Sequence, residues 1–444
     1  MKSYLTIGAL ILFLFSSCNQ QLNLQPAQSI SEALALSTSS NVVAILIGAY
    51  DEMGVSDLFG GETLRNAELQ AGDGEILWVG TFNAPREIFN KDMLTTNLDA
   101  REVWLEGYEV INIVNNVLSA LQVVDPDIRD RVEGEALFIR AMIYFELVRF
   151  YAKPYVAGQP NDQMGIPIVT MPTRSIDEKD EVTRNTVEEV YAQIIDDLTR
   201  AQAILPETNG VFATTYTVSA LLSRVFLQQG RFADARDAAH RVITSGRFGL
   251  MPTYAEAFNN DANTMEDIFA MQVSSQDGVN VMNTFFSVPQ FGGRDGDIEI
   301  LQQHLNLYNP ADDRLNLFFQ RGGVFHTGKW NNQFGNVVLI RLAEMYLTRA
   351  ETNFRLGSNI GATPLQDYNR IHMRAGLLPA VQVTLADILL ERKLELAFEG
   401  HRIHDVKRLQ QNVGNLAFDA DKLVFPIPAR EIEANPNLEQ NPGY

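Results

Sequence analysis

The chain has 444 residues, 46% hydrophobic and 20% charged, with a formal net charge of −20 and one cysteine. So acidic a chain is repelled by phosphate backbones, which excludes nucleic acid as a partner and favours neutral ligands or an electropositive protein. A single cysteine excludes an intrachain disulfide, so stability has to come from burial, which a chain of this length and apolar content can supply.

The N-terminus reads MKSYLTIGALILFLFSSCNQQLNLQP: one basic residue, Lys2, an apolar run from Tyr4 to Phe15, and two serines before Cys18. The run is shorter than the roughly twenty residues that cross a bilayer, and its length suits the core of a secretory signal peptide. The Phe-Ser-Ser-Cys ending resembles a bacterial lipoprotein signal. That resemblance implies removal of residues 1–17 and lipidation, palmitate included, of Cys18 as the first mature residue.

Helical periodicity begins after a short tether and recurs to about Gln411. Asn41 to Met53 reads as the first apolar helix. A Gly-rich stretch with aromatics follows, near 54–98, and reads as loop. Trp104, Tyr108, Ile111 and Asn115, then Ala136, Ile139, Ile143 and Leu147, recur at helical spacing and predict two long packed helices. Pro154, Pro160, Pro167 and Pro172 interrupt the pattern until a helix capped at Asn185 or Thr186, with Glu188 and Glu189 in its first turns. After Pro206, the positions Leu222, Ser223, Phe226, Gly230, Phe232 and Ala235 match tetratricopeptide spacing and predict an αα-hairpin that turns at Gly230. Residues 337–376 form a more degenerate second copy. Between them, 249–335 is rich in Gly, Asn, Asp and aromatics and reads as a second irregular excursion. The expected fold is therefore all-α: one domain over 18–444, a scaffold of αα-hairpins carrying two excursions.

The densest chemistry lies in LLERKLELAFEGHRIHDVKRL, residues 389–409, read as one helix of about six turns. Glu391, Glu395 and Glu399 share a face, and His401, His404 and Asp405 have spacings that fit a metal site or an acid–base pair. Arginines on the same face compete for the carboxylates, and the simpler reading is a helix whose charges pair with each other and with neighbouring helices, with Glu395, Glu399, Arg402 and Asp405 as the pairing groups. Asp312 and Asp313 beside Arg314 read as a polar turn and not as a glycosidase acid pair. GxSxG, GxxxxGK[ST] and GxGxxG motifs are absent, so neither catalysis nor a cofactor is expected.

The aromatics of the excursions point to a ligand instead. Trp78, Phe82, Phe286, Phe291, Phe325 and Trp330 lie where no periodicity demands their burial. Exposed rings stack on the C–H faces of sugars, while Asn83, Arg294 and Asp295 can hydrogen-bond hydroxyls.

Several stretches together, EALFIRAMIYFELVRFYAKPY, GIPIV, LIRLAEMYLTRAE, the 389–409 segment and the terminal FPIPAREIEANPNLEQNPGY among them, resemble the SusD/RagB family of Bacteroidetes outer-membrane lipoproteins from Cys18 to Tyr444. The resemblance implies a surface-exposed, tetratricopeptide-like, non-enzymatic protein anchored in the outer membrane by its lipid. Such a protein captures oligosaccharide or another nutrient for a SusC-like TonB-dependent transporter. It makes Trp78 the positional counterpart of a platform tryptophan and Trp330 the counterpart of a frequently structural one. Two other readings stand beside it: a surface hydrolase or metalloenzyme built on Glu395, Glu399, His401 and His404, and a purely structural partner of the transporter.

Overall fold

A computed structural model describes residues 35–72, 74–174, 181–276 and 278–444; the signal segment and Cys18 lie outside the described residues. The first expected helix is present as α1 (Ser39–Met53), with the Thr38 side chain accepting the N–H of Asn41 at its start. The first excursion is not loop throughout. It folds into α2 (Glu62–Ala71), strand β1 (Ile76–Trp78) and α3 (Asn83–Asn90).

The two long helices are α4 (Leu98–Ser119) and α5 (Arg129–Tyr151). Helix α5 is buried on nearly every side, so its polar groups need partners inside the protein. Arg140 meets that need by donating to both Asp197 oxygens, at 2.8 and 2.6 Å, and to Asn115 at 2.9 Å, which ties α4 and α5 to α6 (Val187–Ile204). Thr186 caps α6 through a reciprocal pair with Glu189. The predicted αα-hairpin is α7 (Thr215–Gln228) and α8 (Phe232–Thr244), with Gly230 between them at φ +71°. The degenerate second copy is α9 (Leu342–Leu356) and α10 (Pro364–Arg374). From α4 to α10 each helix packs on the next, the arrangement expected of a stack of helix pairs. Among the described residues, no helix is long and apolar enough to cross a membrane.

The second excursion supplies the remaining strands: β2 (Asp267–Met271), β3 (Ile298–Ile300), β4 (Phe318–Arg321), β5 (Val324–Thr327) and β6 (Val337–Arg341). Strands β2 and β6 form an antiparallel pair, while β1, β3, β5 and β4 form an antiparallel sheet in that order. The sheet therefore joins the two excursions, with Trp78 opposite Ile298 and Ile76 opposite Ile300.

The 389–409 stretch is not one helix. It breaks into α11 (Leu385–Glu395) and α12 (Arg402–Arg408), with Phe398 and Gly400 at positive φ between them. A Cβ on Gly400 would come within 2.9 Å of the Leu64 backbone, so the chain needs glycine there for both its conformation and its approach to α2. Glu68 of α2 accepts the N–H groups of Gly400, His401 and Arg402, at 2.9, 3.1 and 3.4 Å, and so caps α12 from outside.

The charges of this segment pair with each other and with neighbouring elements, except Arg402, whose side chain makes no ion pair. Arg341, at the start of α9, donates to Glu399 at 2.7 Å, to Glu266 at 2.9 Å and to Glu395 at 2.5 Å. Arg374 reaches Glu266 and Glu395 as well, Arg314 binds Asp312 and Glu391, and Lys329 binds Glu399. Asp312 accepts the Arg314 guanidinium and backbone N–H together, so this turn is a buried part of the network. Arg392 and Arg408 share Asp405. Burial raises the Glu395 carboxyl, but Arg374, Arg341 and Arg314 outweigh it and hold the group at about 2.

Replacing Arg341 by Ala leaves Glu399 and Glu395 short of their main counter-charge in the interior, with an expected loss of about 3–5 kcal/mol in urea unfolding at pH 7. A carboxyl depressed on folding gives stability that is present above its unfolded value of 4.5 and lost as the pH falls toward 2. The deficit of the variant should therefore persist at pH 5 and shrink only in stronger acid. A loss below about 1 kcal/mol at pH 7 would show that the network does not stabilise the fold.

Candidate ligand-binding face

The β1–β3 pairing brings 78–83 alongside 291–297. Val79 N–H donates to Asp297 O at 2.9 Å, and Gly80 fits against Trp78 and Asp297 so closely that a Cβ there would lie 2.5 Å from the indole. The chain beyond Gly80 turns outward, placing Thr81, Phe82 and Asn83 at the surface where α3 begins. Phe82 is 47% exposed. The Arg294 guanidinium stacks over its ring at 4.2 Å and donates to Thr81 Oγ1 at 3.2 Å, so ring and guanidinium form one flat surface.

Four of the nine expected ligand residues, Phe82, Asn83, Arg294 and Asp295, meet on this surface. Asn83 is exposed and accepts from Arg86 at 3.1 Å. Asp295 is exposed, and its backbone carbonyl accepts from Arg321 at 3.3 Å. Phe291, the fifth, is 37% exposed and packs edge-on against Phe319, whose ring also neighbours His326.

The other four are buried or half-buried, which corrects the expectation that loop aromatics of this kind face a ligand. Trp78 is only 6% exposed and packs on Phe285, with ring centroids 5.7 Å apart. Phe286 is fully buried against Phe398, and Trp330 donates its indole N–H to Phe398 O at 3.0 Å. Phe325, half-buried on β5, pairs with Ile300 of β3. These rings fasten the excursions to the helical body, because loop segments without periodicity still have to bury apolar area to hold a shape.

Beside Phe82 lies an open cleft of about 650 Å³, floored by Phe285 and Arg65 and walled by Glu62, Glu87, Asn97 and Asp99. Arg65 stacks on Phe285 at 4.4 Å and pairs with Glu62 and Asp99. Asn97 donates to Glu87 at 2.7 Å. This polar wall comes from three helices and carries no signature in sequence. Its carboxylates and amides are suited to accept and donate hydrogen bonds to hydroxyl groups. On the sheet side of Phe82, the buried indole N–H of Trp78 has no hydrogen-bond partner among the described residues. Asp297 sits 3.1 Å from Arg294 Nε, at ion-pair distance but outside hydrogen-bond geometry.

The proposed metal or acid–base set does not converge. The His404 ring lies edge-on to Phe150, whereas His401 borders a separate cavity next to Arg402. Among the described residues, the grouped carboxylates close enough to share a cation are Glu52, Glu106 and Glu109, on α1 and α4.

Burial raises the Glu62 carboxyl to about 7, against the opposing pull of Arg65. An acid raised on folding binds its proton more tightly in the folded state, so its contribution to stability falls as the pH rises from 4.5 to 7. Glu62→Gln, which cannot ionise, should thus gain melting temperature over wild type as the pH rises through that window. A difference between the two proteins that does not change from pH 4.5 to 8 would contradict this.

Comparison with known proteins supplies what the geometry alone cannot. A family profile described as starch-binding, associating with the outer membrane, matches residues 40–227, and the SusD family profile matches residues 318–422. A SusD-like protein of Formosa agariphila is 25% identical over 100% of both chains. The starch-binding protein SusD of Bacteroides thetaiotaomicron is 33% identical over 24% of this chain and 22% of its own. A solved SusD superfamily structure from Bacteroides thetaiotaomicron superposes with a TM-score of 0.81 at 23% identity, covering 91% of this chain and 100% of the other.

Proposed function

The chain belongs to the SusD family, and from that premise we propose that it is a non-catalytic glycan-binding protein of the outer membrane. In this reading it is lipid-anchored through Cys18 and exposed at the cell surface. It captures oligosaccharide on the face around Phe82 and passes it to a SusC-like TonB-dependent transporter.

The observation that carries the reading is the convergence of Phe82, Asn83 and Arg294 from two distant segments onto one exposed surface beside a polar cleft. A sugar ring presents an apolar C–H face and a rim of hydroxyls, and the Phe82–Arg294 surface with its neighbouring amides and carboxylates complements both. Trp78, Phe286 and Trp330 act beneath it, holding the two excursions in register. The hydrolase or metalloenzyme alternative draws no support from the 389–409 segment, whose Glu395 and Glu399 are engaged by Arg341 and Lys329.

Screening the purified protein on a glycan array, followed by calorimetry on the glycans retained, tests the proposal. Phe82→Ala should weaken the retained glycan by about 1 kcal/mol or more, and Arg294→Ala should weaken it as well, with unchanged melting temperatures. An empty array combined with co-purification of a transporter would favour the structural-partner reading instead. Glycan affinity unaffected by both substitutions would place the site elsewhere.

A further inference from the structure

The 389–409 segment, which contributes nothing to the face around Phe82, borders a cavity of about 320 Å³ between α2, α11 and α12. One side of that cavity is apolar, formed by Ile76, Leu389, Leu396 and Phe398. The other side is charged, and most of its charges are already matched. Lys393 pairs with Glu75, which also contacts His304 at 2.8 Å. Arg392 and Arg408 hold Asp405, and Glu68 is occupied by the backbone of α12.

Two side chains on this wall make no hydrogen bond or ion pair among the described residues, although Arg402 lies near enough to Glu68 to favour its ionised form. The side chain of half-buried Arg402 makes no ion pair or hydrogen bond; its backbone N–H alone is engaged, by Glu68. The His401 side chain, only 9% exposed, likewise makes no hydrogen bond and lines the same space. Burial pushes His401 down to about 3, so the ring is neutral near pH 7 and offers one N–H and one lone pair.

The shape and charge of the cavity define that ligand. An unpaired guanidinium favours an oxyanion, which it can grip with two N–H groups. Asp405 and Glu75 on the same wall disfavour a second negative charge. The apolar wall asks for a hydrocarbon body, and the volume, near the lower end for ligand sites, limits the molecule to a ring and a short chain.

We propose that this cavity is a second binding site, separate from the glycan face, for a small monocarboxylate with an apolar body, gripped by Arg402 and hydrogen-bonded by His401. The Arg402 guanidinium holds the carboxylate at the polar wall, and the body lies between Leu389 and Phe398. The site rests on residues outside the Phe82 surface and does not depend on what that surface binds.

Calorimetric titration of the full chain with phenylbutyrate tests the proposal, with phenylbutyramide as the uncharged analogue and glucuronate as the polar-bodied one. Phenylbutyrate should bind saturably, and both analogues should bind at least about tenfold more weakly. Arg402→Ala removes a side chain that makes no hydrogen bond or ion pair, so it should stay folded while weakening phenylbutyrate by about tenfold or more. Leu389→Trp, which fills the apolar half, should abolish binding; if either variant fails to fold, the two analogues still decide. No saturable binding up to about 10 mM phenylbutyrate, equal binding of the amide, tighter binding of glucuronate, or undiminished binding by folded Arg402→Ala would each overturn the assignment.

Discussion

A guanidinium sealed inside a protein has to be met by carboxylates, and the chain must then respect the positions those carboxylates take. Arg341 imposes that condition here. It stands where β6 passes into α9 and is bound by Glu266 before β2, by Glu395 at the end of α11 and by Glu399 in the turn that follows. Arg374 repeats two of those contacts from α10. The helical stack and the C-terminal turn therefore meet at one electrostatic node. Because each carboxylate there is buried, none can swing out to solvent to relieve a mismatch. The break between α11 and α12 follows from the same node. Glu399 reaches Arg341 because the chain has left the helix before it, in a turn that Gly400 permits.

From that node the ligand face is positioned at second hand. Lys329 and Trp330 anchor the second excursion to the backbone of residues 395–398, through the carbonyls of Glu395, Ala397 and Phe398. Phe286 packs on Phe398 from the same excursion. With that region fixed, β3 can receive β1, and the exposed residues Phe82 and Arg294 are presented by strands and short turns instead of by a free loop. A rigid mount matters for sugar recognition, since a stacking surface ordered in advance spares the entropy of ordering it on binding.

Much of the frame was legible in the sequence because its signal is local. Helices α1 and α4 to α8 announce themselves by apolar spacing, and the cap at Thr186 by its residue types. Helix α2 was hidden because its buried positions are largely polar: Thr63, Arg65, Asn66, Glu68 and Gln70 are all inside. Their partners, Asp99 for Arg65 and the start of α12 for Glu68, lie far along the chain, so no window of sequence contains both halves. The ligand residues divide for a similar reason. Trp78 and Phe82 look alike as loop aromatics, and what separates them is the register of β1 against β3 and the tight fit at Gly80, both tertiary facts. The charged C-terminal segment is the pairing element its residue types suggest: Asp405 pairs within it, with Arg392 and Arg408, and Glu395 and Glu399 pair outside it, with Arg314, Lys329, Arg341 and Arg374, while Arg402 makes no ion pair.

The pairing of Ile76 with Ile300 has a further consequence, in the entropy of the chain. Bringing those two positions together closes a loop of about 220 residues, and the only reward at that point is a strand pair three residues long. Most of the helical stack closes by shorter steps, since from α4 to α8 each helix packs on the next in sequence. The surface that carries Phe82 and Arg294 thus depends on a contact between distant parts of the chain. Damage to a helix far from that surface can therefore disturb it without touching any residue that lies on it.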